Sequence, residues 1–270
     1  DAKAVWPERH FNGGIAEGNM MGVAAGLASC GNTVFASSFA MFATGRAYEQ
    51  VRNSIGYTHL NVKICATHAG ITLGEDGASH QSIEDIALMR AIPGMTVIQP
   101  CDDIETRQVI NAISKINGPC YVRLGRSAVD TVNSEDYVFE IGKGSVLREG
   151  KDITLIATGM MVQQALLAAN TLNEQGIDVS VINIHTIKPL DESLILEYAK
   201  KSKLVVTCEE HSKFGGLGSA VAETLSKNHP VKMAMVAVND TFGESGTPNA
   251  LIEKYGLTAK DIVKTVLESI

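Results

Sequence analysis

Two histidines, two adjacent carboxylates and three glycines fall within fourteen residues, from His68 to Gln81. Histidine can donate to a phosphate or shuttle a proton near neutral pH, and glycine lets backbone approach a ligand closely. The segment follows an apolar run, Val62–Ala66, that reads as a strand. In an open α/β sheet, ligands bind beyond the carboxyl ends of the strands. The plainer reading is a turn-rich surface loop whose histidines are merely polar. Loops carry function disproportionately, which favours the chemical reading.

Three further groups have useful side chains. Glu17 is a lone carboxylate at the start of an apolar Gly/Ala/Met-rich stretch. It could hydrogen-bond a ring nitrogen and exchange a proton, or simply answer a helix dipole in the first turn. Taken alone, the second reading is the stronger. Phe39 and Phe42, three apart after a second apolar run, could stack on a flat ring or fill core. Arg123 and Arg126 end a strand, where guanidinium can clamp a phosphate, although surface arginines are common there. In the second half, Glu209-Glu210-His211 follows a strand and Gly215-Gly216-Leu217-Gly218 opens a helix. That glycine order lacks the Gly-x-Gly-x-x-Gly spacing, so close helix–sheet packing is the better reading than an anion site.

Elements able to position these residues alternate between strand and helix. Strands are expected at 33–37, 62–66, 95–99 and 120–124, then at 153–157, 179–183, 204–208 and 233–238. Helices are expected at 14–30, 39–53, 102–116, 162–174, 190–201, 216–226 and 259–267, and Ser82 with Asp85 reads as a capping pair for another. The fold class is therefore α/β, with two consecutive open, mostly parallel sheets and helices on both faces. A polar stretch, Asp130 to Asp136, divides a first domain, 1–130, from a second, 137–270. The first regular element is a helix where such a domain normally opens with a strand, so an upstream segment is expected.

Of 270 residues, 23 are basic and 30 acidic, giving −7, which argues against a nucleic-acid surface. No apolar run is long enough for a membrane span, and no signal peptide opens the chain. Five scattered cysteines without a Cys-x-x-Cys pair suit reduced thiols in a cytoplasmic protein and offer no zinc site.

Taken together, these motifs resemble the transketolase family. The His68–Gln81 loop is close to the family's H-x-G-x-x-x-GEDG-x-x-H-Q segment almost position for position. Pro7 to Met20 resembles the approach to the family's thiamine-contacting glutamate, Ser38, Phe39 and Phe42 its stacking aromatics, and Arg123 and Arg126 its strand-end arginines. Lys188-Pro189-Leu190-Asp191 and Gly243-Glu244-Ser245-Gly246 are similar to parts of its C-terminal domain. The resemblance implies a pyrimidine-binding domain followed by a transketolase C-terminal domain, with thiamine diphosphate as cofactor. It implies that Glu17 hydrogen-bonds the pyrimidine nitrogen, that Phe42 stacks on the ring with Phe39 nearby, and that His68, His80 and Asp76 contact sugar and assist proton transfer. Arg126 would hold the substrate phosphate.

Two departures stand out. Gly18 occupies a position where the family usually has Gln, and the Gly-Asp-Gly motif with its downstream Asn is absent. Mg²⁺ or Ca²⁺ bound there neutralises the diphosphate. The resemblance therefore implies a partner chain, the N-terminal transketolase subunit, or else a truncated single-chain enzyme. It implies a heterotetramer of two chains of each kind, at most a dimer without the partner, and ketol transfer between sugar phosphates in the pentose phosphate pathway. The close rival is 1-deoxy-xylulose-5-phosphate synthase, then a 2-oxo-acid dehydrogenase β subunit. A thiamine- or partner-binding module without turnover is the reading from outside catalysis.

Overall fold

The computed structural model describes residues 2–270. Helical turns at α1 (Ala2–Val5) and Pro7–Arg9 lead to α2 (Glu17–Ser29), which turns Met21, Ala24, Ala25 and Ala28 onto the first sheet. That sheet contains β1 (Val34–Ala36), β2 (Val62–Ala66), β3 (Thr96–Ile98) and β4 (Cys120–Arg123), all parallel in the order β1-β2-β4-β3. Between its strands run α3 (Asp85–Ala91) and α4 (Asp103–Ser114). Every residue of β2 and β4 is buried, as expected for parallel strands covered on both faces.

The second sheet has the order β10-β9-β6-β7-β5. Here β6 (Ile153–Ala157), β7 (Val179–Asn183), β9 (Leu204–Ser212) and β10 (Met233–Val238) are parallel, and β5 (Ser145–Arg148) adds antiparallel at the edge. The helices are α5 (Met161–Glu174), α6 (Glu192–Ala199), α7 (Leu217–Asn228), α8 (Pro248–Lys254) and α9 (Ala259–Ser269). A capping box of Thr258 and Asp261 starts α9. The expected two-sheet α/β architecture is the observed one.

The structure corrects several local expectations. A short strand, β8 (Thr186–Lys188), leaves the second half of the sequence and pairs antiparallel with β3, so both halves build the first sheet. Lys188 reinforces this join by donating to the Arg90 and Ile92 carbonyls at 2.8 and 2.6 Å. The expected helix over 39–53 contains two π-helical segments, Met41–Arg46 and Gln50–Gly56. Their widened turns show in the Ala47 N–H to Phe42 carbonyl bond at 3.2 Å. Ser82 does not cap α3: Glu84 holds that position, and Asp85 turns inward to meet Arg123. Cys65, Cys101, Cys120 and Cys208 are buried free thiols, whereas Cys30 is exposed.

His185 lies in the seam between the two halves, 1% exposed, with its ring 4.5 Å from that of Phe139. Burial pushes its imidazole from 6.5 down to about 4, against a smaller opposing pull from Asp191. The folded state thus resists a proton that the unfolded chain accepts. The His185 contribution is expected to be absent well above pH 6.5 and to lower stability as pH drops from 6.5 toward 4, by up to about 3 kcal/mol. Urea midpoints measured across that window should decline less steeply for His185→Gln than for the parent. Parallel curves would remove His185 as the cause.

Candidate functional site

The carboxyl ends of β1 and β2 are tied together beyond the strands themselves. Thr67 N–H donates to the Ser38 carbonyl at 3.0 Å, and Ala40 N–H donates to the Thr67 carbonyl at 2.7 Å. This extension sets Phe39 beside His68, their rings stacked at 3.9 Å and 14°. Phe42 lies 6.3 Å from Phe39 in a parallel orientation, and the His80 ring meets Phe42 edge-on at 5.0 Å. Two aromatics and two histidines thus form one ring cluster, with offset and edge contacts that favour fixed geometry.

Glu17 opens α2 beside this cluster and is 5% exposed. Its carboxylate accepts from the Ser38 hydroxyl at 3.2 Å and from the Arg46 guanidinium at 3.2 Å. Arg46 also stands 4.4 Å over the face of Phe42. One planar cation therefore bridges the acid and the aromatic face. The sequence reading missed Arg46, although its spacing four residues beyond Phe42 places the two on one helical face.

The His68–Gln81 loop carries the remaining candidates. His68 adopts φ 60°, a left-handed conformation unusual outside glycine, at the point where the chain leaves β2. Its Nδ1 lies 2.9 Å from the Thr67 hydroxyl. Burial lowers the His68 pKa and Arg126 lowers it further, against an opposing pull from Asp76, so the neutral ring is favoured. Asp76 is exposed at the turn, and Ser79 Oγ lies 2.9 Å from His80 Nδ1. Arg126 donates to the Leu73 carbonyl and pairs with Glu75 at 3.0 Å. Phe39, Phe42, His68 and His80 come together directly, Glu17 joins them through Arg46, and Arg126, beyond β4, reaches across to the Gly-Glu-Asp-Gly turn that carries Asp76.

Other motifs resolve into structural roles. Arg123 is no surface clamp: it is 1% exposed and bonded to Asp85 through Nε at 2.7 Å. The Gly-rich start of α7 does hold an anion, the protein's own Glu209, which accepts from the Leu217 and Gly218 N–H groups at 2.7 and 2.8 Å. A Cβ at Gly216 would lie 2.0 Å from that carboxylate, which explains the glycine. Among the described residues, no group of three or more His, Cys, Asp or Glu is placed to hold a metal ion, and no helix is long and apolar enough to cross a membrane.

Comparison with known proteins agrees with this arrangement. The family model of the transketolase pyrimidine-binding domain matches residues 2–131, and that of the transketolase C-terminal domain matches residues 142–262. A solved structure of a split gene transketolase, described as an inactive β4 tetramer, is 54% identical and superposes with a TM-score of 0.94, over 100% of this chain and 86% of that one. The 6-deoxy-6-sulfo-D-fructose transketolase subunit of a Clostridium species is 48% identical over 97% of this chain and 81% of its own. A subunit of the apulose-4-phosphate transketolase of Phocaeicola vulgatus is 40% identical over 97% of this chain and 84% of its own. With both family models matched in order, and with subunits of split enzymes among its relatives, the chain belongs to the transketolase family, as a pyrimidine-binding domain followed by a C-terminal domain.

Proposed function

We propose that this chain is one subunit of a thiamine-diphosphate-dependent transketolase that transfers a two-carbon ketol unit between sugar phosphates once a partner subunit is bound. The observation that carries this reading is the bridge between Glu17 and Phe42. A single planar group, the Arg46 guanidinium, already reaches the acid by hydrogen bond and lies over the face of the ring. A flat pyrimidine taking the place of Arg46 would lie against the same ring, with its nitrogen accepting from the Glu17 carboxyl where Arg46 now donates, so the residues present fit the cofactor.

In this reading Glu17 holds or gives up a proton at the pyrimidine nitrogen, and Ser38 keeps the carboxylate oriented. Phe42, with Phe39 behind it, fixes the ring plane. His68 and His80 line the space beyond, where imidazoles donate to sugar hydroxyls and move protons, with Asp76 at the rim. Arg126 supplies a cation for a substrate phosphate by leaving Glu75. When bound, thiamine diphosphate supplies the electron sink for carbon–carbon bond cleavage, and the protein contributes orientation and electrostatics.

In this reading the diphosphate and its Mg²⁺ or Ca²⁺ are held by the partner chain, a division supported by the split gene transketolase and the transketolase subunits among the relatives. Exposed apolar residues leading into Glu17 support a covered surface there: Trp6, Phe11 and Ile15, the last 93% exposed. The 54% identical relative is an inactive β4 tetramer, so self-association beyond the dimer expected from sequence is part of this proposal. The assembly is expected to be cytoplasmic, with the division into 1–130 and 137–270 kept apart from β8.

A ketol-transfer assay with thiamine diphosphate and Mg²⁺ tests the reading, run on the chain alone and with the N-terminal subunit. Activity is expected only in the mixture. Activity of the chain alone would remove the partner requirement, and an associated but silent pair would favour another ketol substrate or a module without turnover.

A further inference from the structure

We infer that Glu210, a residue of the second domain, is a positioning residue for the histidine-bearing loop of the first. Its carboxylate accepts from the Thr72 N–H at 2.6 Å, deep inside the loop, and the residue is 2% exposed. Gly70 lies directly over that carboxylate: a Cβ there would fall 2.3 Å from Glu210 Cδ. With φ 86°, Gly70 holds a left-handed conformation in which any side chain would be strained as well as blocked. The main chain of the same residue reaches the other end of the loop. The Glu210 carbonyl accepts from Arg123 Nη2 at 3.0 Å, and that nitrogen also donates to the Ser82 carbonyl at 3.1 Å. One residue of β9 therefore holds the loop near both ends.

Further contacts follow the same pattern. Gln81 donates through Nε2 to the Ile71 carbonyl within the loop and to the Glu244 carbonyl of the second domain, both at 3.0 Å. A Cβ at Gly77 would meet Ser245 Oγ at 2.5 Å, so that segment also packs against the loop without a gap. Among the described residues, the loop's hydrogen bonds to the second domain thus end on Glu210 and Glu244. Of the two, only Glu210 accepts through its side chain, and because it is 2% exposed no solvent stands ready to replace it at the Thr72 N–H. Among the described residues, no hydrogen bond or ion pair joins Glu210 to the rings that cluster around Phe39. It acts by fixing where His68 and His80 begin and end.

Two variants separate positioning from packing. Glu210→Gln keeps an acceptor for Thr72, whereas Glu210→Ala removes it. Hydrogen exchange on the chain by itself should show residues 70–77 losing protection in Glu210→Ala, with β2 and β6 unchanged, and Glu210→Gln close to the parent. In the chain mixed with its partner, Glu210→Ala should raise KM for the sugar phosphate about tenfold, the scale of one buried N–H left without its acceptor. Half-saturation by thiamine diphosphate should stay put. The kinetic arm rests on the proposed function, and a silent parent mixture would defeat that reading while the exchange arm still decides this one. Unchanged loop protection in Glu210→Ala, protection lost equally from β2 and β6, or a loosened loop with an unaltered KM would each overturn it.

Discussion

Glu17→Gln is expected to reduce ketol transfer by the mixed enzyme at least about 100-fold, within the range that positioned proton transfer contributes. The substitution keeps the side-chain shape and an oxygen for the Ser38 hydroxyl, now 3.2 Å away. It removes the negative charge that faces Arg46 and the capacity to exchange a proton with a ring nitrogen. The pair with Arg46 is not a large source of stability, because the arginine side chain is 55% exposed and such pairs contribute little. Thermal unfolding should therefore shift by no more than a few degrees. A steady-state assay at saturating cofactor, paired with a melting curve, separates the two effects. Activity within threefold of the parent would deny Glu17 its catalytic role.

The largest stability effect is expected at Asp85 and Arg123. Both side chains are essentially inaccessible, and Arg123 Nε donates to Asp85 Oδ2 at 2.7 Å. Burial alone would raise the Asp85 carboxyl. Arg123 and His211, with hydrogen bonds from Arg123 and Tyr121, overcome that and hold it below the usual carboxylate range. Removing one partner strands a charge in the interior, so Asp85→Ala or Arg123→Met should cost about 3–5 kcal/mol. Apolar replacement of both should recover part of the loss, since the pair itself was costly to desolvate. Urea unfolding of the single and double variants is the measurement. Single losses below about 1 kcal/mol would mean that water reaches this pair.

The uninterrupted strands were the easiest to read. Val62–Ala66, Ile153–Ala157, Val179–Asn183 and Met233–Val238 are runs of β-branched and apolar residues, and they occupy the expected positions. Three-residue β8 carries no period long enough to recognise, and its partner β3 is some ninety positions away. The π-helical turns around Phe42 and Val51 respond to packing against α2 and α3, which local propensity does not encode. Ser82 and Asp85 matched a capping pattern, but a buried arginine competed for the carboxylate and won. The histidine loop was legible because its chemistry is concentrated in one segment. Arg46 and Glu210 were not, since each gains its meaning from a residue elsewhere: Glu17 for one, Thr72 for the other.

The exchange of β8 limits how the protein can be recombined. A chimera joined in the polar stretch between 130 and 137 would carry β3 without the strand that pairs with it, and would leave Lys188 on a foreign module without the Arg90 and Ile92 carbonyls. The bared edge would be open to pairing with other chains. Shuffling with related enzymes is better done with the 186–188 ribbon and residues 96–98 inherited from the same parent. The boundary visible along the chain is therefore not a seam along which the molecule can be cut.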